Sequence, residues 1–433
     1  MHFITDILFF CCFLAFPVTI LYCVFLTKYD VLQITISNIL FLSIFCFSYI
    51  GIAILYFGLD ANRLGDGVDD KSIIASIYWY EVISILALIV GFIAASKVGL
   101  ENSHTKKESR VSLWRLKLVL VCCWPLFLIS IAYYISLNKN IALFIALGFF
   151  DGESGITRGE MTNAFAGYHY FKFVNHDLLT FFMLMSFGLN RVGKGSLFLF
   201  LAYFFLCSFS VLLTTEKSPF VWTLISLLFY SKLLEHQQSL RFSHLIFPAF
   251  ILIAVLTTFY ILFMQVGIER LDVAFYSIFS RIFAGSIQPA YYYIEFFQNH
   301  EYLMGQSFPN PGGLMPFTGF NLTQEIYKYA HPVNYSSGIV GSMPTIFWAE
   351  AFSNFGPLGV VAVSGVVGVA VRLLDNTFSN FHADVIISAL FVWLIVHIKD
   401  LSVTGFSQYL ADTYLVGVLL VYFVLILFVR KIR

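Results

Sequence analysis

The chain has 433 residues and an even charge balance, with 25 lysines and arginines against 25 aspartates and glutamates. Hydrophobic residues make up 59% of it and charged residues 12%, and the mean hydropathy is +0.84. Such a chain has lipid as its main solvent, which excludes a soluble globular protein and predicts an all-α polytopic membrane protein. The cysteines all lie in hydrophobic segments, so they indicate neither a disulfide framework nor a zinc site.

About eleven hydrophobic segments are long enough to be transmembrane helices, since crossing the hydrocarbon core takes about 20 apolar residues. The predicted spans are 4–26, 34–58, 73–96, 117–137, 172–190, 196–214, 217–233, 245–265, 346–371, 384–401 and 409–429. The first span lacks a basic leader region and a cleavage site, so we expect it to be retained. No linker or internal repeat interrupts the chain, which predicts a single transmembrane domain over 1–433.

Basic residues set the expected orientation, because cytoplasmic loops retain lysine and arginine. The block between Lys97 and Lys117 is the strongest such anchor. It predicts an external amino terminus, a cytoplasmic carboxyl terminus and a large outer loop at 266–345. Within that loop, 271–284 and 287–299 are predicted to form short aromatic-rich helices with a break at Pro289.

The usual enzyme motifs are missing: there is no Walker phosphate loop, Rossmann fingerprint, paired-histidine metal helix or nucleophile-elbow serine. This argues against ATP-driven transport. The first predicted outer loop, 59–71, contains Asp66, Asp69 and Asp70, whose carboxylates are ligands that a divalent cation takes, but their spacing matches no calcium loop. We therefore expect no metal ion and no other cofactor.

Four basic residues in the outer segments are candidates for binding a diphosphate, since guanidinium groups match phosphate oxygens. They are Arg158, Lys217, Arg270 and Arg281. The last two are eleven residues apart, which places them on nearly the same helix face. The alternative is that each cation neutralises a neighbouring acid, as Lys217 would with Glu216, or extends to the membrane interface.

Two residues are candidates for general base catalysis toward a sugar hydroxyl. His331 has a side chain suited to proton transfer at neutral pH, although a structural role is the alternative. Glu350 lies near the start of a predicted helix, where it would alternatively interact with the helix amino terminus. Sugar binding is assigned to four further residues: Tyr291, Tyr292, Asn334 and Tyr335. For Tyr291 and Tyr292, simple packing at the membrane interface is the alternative to stacking on sugar rings.

Three segments carry a family resemblance. They are TTEKSPFVWTLISLLFY at 214–230, FSRIFAGSIQPAYYYIEFF at 279–297 and GSMPTIFWAEAFSNFGPLGVV at 341–361. Together with the order of spans and loops, they resemble Wzy-type oligosaccharide repeat-unit polymerases, which build O-antigen and related bacterial surface polysaccharides. The resemblance implies a GT-C-like membrane glycosyltransferase architecture in the bacterial inner membrane.

The resemblance also implies a reaction. Two undecaprenyl-diphosphate-linked glycans act as donor and acceptor on the periplasmic face, and no nucleotide sugar or nucleic acid takes part. The resemblance also implies membrane lipid as a partner, and it allows a chain-length-regulating co-polymerase as another. Arg158 and Arg281 would contact the diphosphate, and Lys217 stands where the family often has arginine.

Two other functions stay open at this point. O-antigen ligases share the architecture and the donor, but transfer the glycan to a lipid A core. A precursor flippase or secondary transporter would instead place polar groups near the bilayer midplane, in broken helices and repeats. The predicted helix centres are nearly free of charge, which argues against transport.

Overall fold

The computed structural model describes residues 2–97, 111–138, 140–235, 239–264, 271–337, 341–378 and 384–430. Over these residues the regular elements are helices, and one isolated antiparallel bridge joins Val111 to Arg430. The all-α expectation is therefore confirmed. Arg270 lies outside the described residues, as do Lys106, Lys107, Arg110, Lys431 and Arg433 of the basic segments.

Seven helices among the described residues are long and apolar enough to cross a membrane, so the chain is a membrane-embedded protein. Each corresponds to one predicted span. They are Phe3–Thr27, Ile36–Tyr56, Lys71–Ser96, Leu113–Leu137, Phe347–Phe378, Val385–Ser402 and Phe406–Val429.

The other four predicted spans also coincide with helices. These are Leu179–Arg191, Leu197–Leu213, Lys217–Leu234 and Phe242–Met264, of 13, 17, 18 and 23 residues. The first of them is preceded by a π-helical stretch at Phe173–Leu178. The count of eleven spans stays a prediction.

The chain forms two compact units, and each unit is assembled from three separate stretches of sequence. Unit 1 comprises Met1–Asn102, Phe279–Thr377 and Ile398–Asp412. Unit 2 comprises Ser103–Ile278, Phe378–His397 and Thr413–Arg433.

Unit 1 contains four of the long helices, and two of them cross at small residues. A Cβ added at Gly91 would overlap the carbonyl oxygen of Gly365, and one at Gly368 would overlap that of Leu88. Such close approach is how helices pack when lipid provides no hydrophobic driving force. The crossing fixes helix Lys71–Lys97 against helix Phe347–Phe378.

Helix Phe347–Phe378 is kinked near its first quarter. Gly356 adopts φ +65°, a conformation open to glycine, and Pro357 follows it. The kink separates a first part that carries Glu350 and Asn354, both buried, from the longer apolar part.

The described part of segment 266–345 is helical where the sequence predicts it. Leu271–Phe279 continues as a π-helical stretch at Ser280–Ala284, and Gln288–Gln298 follows after a short turn. Pro289 stands in the first turn of the second helix, where its missing N–H costs nothing. Two more helices, Leu322–Ala330 and Pro332–Ser336, precede the return to the membrane.

Unit 2 is held together by buried tyrosine hydroxyls that bind backbone carbonyls. Tyr203 donates to Leu120 O at 2.7 Å, and Tyr230 donates to Val385 O at 2.8 Å. Both side chains are fully buried. Besides the helices already given, this unit contains Ala142–Ala146, Ser154–Gly159 and Tyr168–Lys172.

Candidate functional site

Unit 1 contains a cavity of about 720 Å³ that two arginines line. We call it the arginine cavity. Its volume is within the range of about 300–1,000 Å³ that small-molecule sites show. Its polar lining includes Arg63, Arg281, Gln288, Tyr327, His331 and Thr404. The cavity thus brings together two of the sequence-predicted site residues, Arg281 and His331.

Arg281 owes its position to a close contact between its helix and a membrane span. A Cβ added at Gly51 would overlap the carbonyl oxygen of Phe283, two residues after Arg281. Only glycine allows helix Ile36–Tyr56 to lie this close to the π-helical stretch Ser280–Ala284. The backbone that carries Arg281 is therefore fixed against a rigid element.

The side chain of Arg281 is exposed, and it makes no hydrogen bond or ion pair with any residue that the structure describes. A guanidinium group has five N–H donors in a fixed fork and is always charged. In the arginine cavity all five are available to a ligand. This is the chemistry of an anion site.

Arg63 is a second cation of the cavity that the sequence analysis missed. Its Nη1 lies 2.5 Å from Gln288 Oε1 and 3.5 Å from Asp66 Oδ2. A Cβ added at Gly285 would lie 3.2 Å from its Nη2, so the guanidinium rests on the turn that follows the Arg281 stretch. The signal was present in the sequence, because Arg63 is a basic residue in an outer loop beside acids, as Arg158 is.

His331 lies at the junction of helices Leu322–Ala330 and Pro332–Ser336. Its half-buried ring contacts Tyr327 at 5.3 Å and Tyr292 at 6.3 Å between centroids. Among the described residues, no hydrogen bond is made by either ring nitrogen. An imidazole that lines a cavity with both nitrogens available is placed for proton transfer.

A second cavity in unit 1, of about 370 Å³, contains Glu350, and we call it the glutamate cavity. Hydroxyl, amide and aromatic groups surround the carboxylate. The lining includes Tyr293, Ser307, Phe320, Asn321, Glu350 and Gln408.

Glu350 is 6% exposed and bonded to two loops. It accepts hydrogen bonds from the Ser307 hydroxyl at 2.8 Å and from the Ser407 amide at 3.0 Å. Asn354, one turn further along the helix, donates to the Ser307 hydroxyl at 2.8 Å and accepts from Gly305 N at 3.0 Å. These bonds fix the orientation of the carboxylate.

The two cavities share a wall made by consecutive residues of the same segments. Met343 and Pro344 line the arginine cavity, whereas Thr345 lines the glutamate cavity. In the same way, Thr404 lines the first cavity and Gly405 the second. A ligand that occupies both cavities would contact the arginines of one and the carboxylate of the other.

Tyr291 and Tyr292 have packing roles in the structure. They are 2% and 4% exposed. The Tyr292 hydroxyl donates to Asp66 O at 2.6 Å, and the Tyr291 hydroxyl accepts from Asp70 N at 3.4 Å. These two hydrogen bonds connect the loop 59–71 to helix Gln288–Gln298. The stacking of sugars on the two rings stays a prediction.

Asn334 and Tyr335, the other two predicted sugar-binding residues, line neither cavity. Asn334 is exposed on helix Pro332–Ser336. Lys328 Nζ lies 5.4 Å from the centroid of the Tyr335 ring, a cation–π contact.

Two acids of the loop 59–71, Asp66 and Asp70, have structural partners. Asp66 accepts from Gln288 Nε2 at 2.9 Å. Asp70 caps helix Lys71–Lys97, and hydrogen bonds from the hydroxyl and amide of Ser72 hold the pKa of its carboxyl below the usual value. Among the described residues, no three His, Cys, Asp or Glu side chains come together as a metal site.

The remaining predicted cations belong to unit 2. Arg158, on helix Ser154–Gly159, lies 3.8 Å from Glu216, and both side chains are partly exposed. Lys217 begins helix Lys217–Leu234 directly after that glutamate. The ion pair matches the charge-neutralising alternative for Arg158, while binding of an anion by either cation stays a prediction.

No protein-family model, curated protein or solved structure matches the chain. The resemblance to repeat-unit polymerases therefore rests on the three quoted segments and the order of spans. The functional argument rests on the chemistry of the described residues.

Glu81 is an acid that the sequence analysis overlooked when it described the helix centres as nearly free of charge. It is fully buried in helix Lys71–Lys97, and Trp348 Nε1 donates to its Oε2 at 2.5 Å. An ionisable residue within a span is costly without such a partner. The pair ties helix Lys71–Lys97 to the start of helix Phe347–Phe378.

Proposed function

We propose that the chain is a membrane glycosyltransferase that joins lipid-linked oligosaccharide repeat units into a surface polysaccharide. The observation that carries this proposal is Arg281, an exposed guanidinium that has no partner among the described residues and lines a ligand-sized cavity. The resemblance supplies the substrate, an undecaprenyl-diphosphate-linked glycan.

The arginine cavity suits a diphosphate better than a single carboxylate. Arg281 offers a guanidinium fork with no partner among the described residues, which can bind phosphate oxygens in a bidentate manner, and Arg63 adds a second guanidinium whose Nη1 is already bonded to Gln288. The charge of Arg63 is partly offset by Asp60 and Asp66, whereas Arg281 has no ion pair among the described residues. Arg281 is therefore the stronger contact, and Arg63 is a positioned second one.

The proposed reaction is a direct glycosyl transfer. The bond between the anomeric carbon of the donor glycan and the diphosphate oxygen breaks, and its electron pair leaves with undecaprenyl diphosphate. The acceptor hydroxyl oxygen forms the new bond to that carbon and gives its proton to a base. Fixed guanidinium groups stabilise the charge that develops on the leaving diphosphate.

We assign the base to His331 in preference to Glu350. The ring nitrogens of His331 have no partner among the described residues, and they line the cavity that would hold the diphosphate. The Glu350 carboxylate is instead occupied by Ser307 and Ser407.

The membrane arrangement belongs to the same proposal. It comprises about eleven spans of GT-C-like architecture in a bacterial inner membrane, with the amino terminus in the periplasm and the carboxyl terminus in the cytoplasm. The segment 266–345 is then periplasmic, on the side where lipid-linked repeat units are joined. In unit 2, Arg158 and Lys217 are proposed as further anion contacts.

The test uses purified full-length protein in lipid bilayers with undecaprenyl-diphosphate-linked repeat units as the only glycan. The wild type should yield polymer, and Arg281→Ala should reduce the rate by about 10- to 100-fold, because a charge-assisted hydrogen bond contributes about 1.5–3 kcal/mol. Lys328→Ala is the matched control, since Lys328 is an exposed cation of unit 1 that lines neither cavity.

Three outcomes would contradict the proposal. If Arg281→Ala produces polymer of wild-type chain length, Arg281 does not bind the diphosphate. Product that forms only when a lipid A core acceptor is added would indicate a ligase. Cysteines placed at 158, 217 and 281 that label alternately from both sides of the membrane would indicate a transporter.

A further inference from the structure

The two cavities of unit 1 differ in charge. The arginine cavity is lined by two cations, Arg63 and Arg281, and by one carboxylate, Asp66, which lies 3.5 Å from Arg63. Among the described residues, no lysine, arginine or histidine lines the glutamate cavity, and Glu350 is the one carboxylate in its lining. A phosphate or an acidic sugar entering the second cavity would face the Glu350 carboxylate without a compensating cation in the described lining, which is electrostatically unfavourable.

The rest of the lining has the chemistry of a carbohydrate site. Asn321, Thr323 and Gln408 provide amide and hydroxyl groups, and Phe308 and Phe320 provide aromatic surface. Polar groups that both donate and accept match the hydroxyls of a sugar, and aromatic rings cover the apolar face of a sugar ring.

Gln408 is the polar lining residue that is best placed to meet a ligand. Its side chain is exposed and has no hydrogen-bond partner among the described residues. The Asn321 amide nitrogen, by contrast, donates to Gln324 Oε1 at 3.0 Å. Gln408 therefore has both its donor and its acceptor available.

The size and position of the cavity limit what it can hold. At about 370 Å³ it lies near the lower end of the usual range for small-molecule sites, which suits one sugar ring better than a chain of several. Consecutive residues of two segments line the two cavities, so the cavities are neighbours, and we expect a glycan whose diphosphate lies at Arg281 to place a sugar ring in the glutamate cavity. The charged and uncharged parts of one substrate would then occupy separate compartments.

We propose that the glutamate cavity binds one sugar residue that is either uncharged or carries an amino group, and that it excludes uronic and other acidic sugars. The identity of the attached lipid diphosphate rests on the proposed function, whereas the binding of the sugar can be measured without any turnover.

The test is saturation-transfer NMR on the full-length protein in nanodiscs. The probes are the methyl glycosides of N-acetylglucosamine, glucosamine and glucuronic acid. Signals from the first two should exceed that of the glucuronide by at least about fivefold. Gln408→Ala should lower the N-acetylglucosamine signal several-fold, whereas Gln298→Ala should not, since Gln298 is an exposed glutamine of the same unit that lines neither cavity.

A second variant tests the charge argument. Glu350→Gln should raise the glucuronide signal toward that of the neutral sugar, and size-exclusion chromatography verifies that the variant is folded. If Glu350→Gln does not fold, the comparison of Gln408→Ala with Gln298→Ala by itself tests whether the glutamate cavity binds the sugar. Equal binding of all three sugars by the wild type, or unchanged binding by Gln408→Ala, would overturn the inference.

Failure of the inference and failure of the proposed function give different results. Selective sugar binding without polymer formation would remove the polymerase and leave the sugar site. Polymer formation without sugar selectivity would remove the sugar site and leave the polymerase. Arg281→Ala should leave the binding of the free glycosides unchanged, because Arg281 lines only the arginine cavity.

Discussion

The two cavities of unit 1 are built by the same segments but have opposite electrostatic character. One contains two guanidinium groups, of which one lacks any described partner. The other contains a carboxylate whose hydrogen bonds are made by protein groups. A cation that is left available marks a place for an anionic ligand, whereas a satisfied acid shapes the site around it.

The two cavities give His331 and Glu350 different roles, one as a base and the other as part of a sugar site. His331 and Glu350 were both candidates for the base, and they line different cavities. Only His331 shares its cavity with the arginines. The assignment of the base and the assignment of the sugar site can therefore be tested by different variants.

The largest effect is expected for His331→Gln. Loss of a general base lowers a catalysed rate by about 10²–10⁴-fold, so kcat should fall while KM changes little. Kinetics with lipid-linked repeat units measure both constants. His300→Gln is the matched control, because that exposed ring stacks on Phe296 and lines neither cavity. A kcat for His331→Gln close to that of the wild type would remove this base.

A smaller effect is expected for Arg63→Ala. Its charge is already partly offset by Asp60 and Asp66, and its Nη1 is bonded to Gln288. Loss of the side chain should therefore weaken binding of undecaprenyl diphosphate by about tenfold, at the low end of the range for a charge-assisted bond. Equilibrium binding in bilayers measures this change. Arg63→Lys should recover only part of the affinity, because lysine lacks the planar fork. Equal affinities for the wild type and Arg63→Ala would exclude Arg63 from the anion site.

The smallest effect is expected for Tyr292→Phe. Burial raises the pKa of Tyr292 to about 12, so its hydroxyl is protonated at neutral pH and donates to Asp66 O. Loss of this bond should destabilise the protein by about 1 kcal/mol, and thermal unfolding in detergent measures the loss. Tyr170→Phe, at a side chain that is 74% exposed, should leave stability unchanged. Equal stability of the wild type and Tyr292→Phe would show that the bond from the hydroxyl to Asp66 O does not stabilise the fold.

Features that depend on local sequence were predicted well. Length and apolarity located all seven long spans, and aromatic patterning located the two helices of the outer segment. Arg281 and His331 were both singled out from the sequence, and they line one cavity. Each of these inferences needed only residues close together in the chain.

Features that depend on contacts between distant segments were not predicted. Arg63 joins the cavity through Gln288, which is 225 positions away. Glu350 is oriented by Ser307 and Ser407, whose separations from it are 43 and 57 positions. No periodicity or motif records such pairings, because they are set by how helices cross and where glycine permits close approach.

The most direct test is a structure of the full-length protein with a bound undecaprenyl-diphosphate-linked disaccharide. The phosphate oxygens should lie within hydrogen-bond distance of the Arg281 and Arg63 guanidinium groups, and a sugar ring should occupy the cavity that contains Glu350 and Gln408. A diphosphate bound away from both arginines would contradict the proposed division of the substrate between the two cavities.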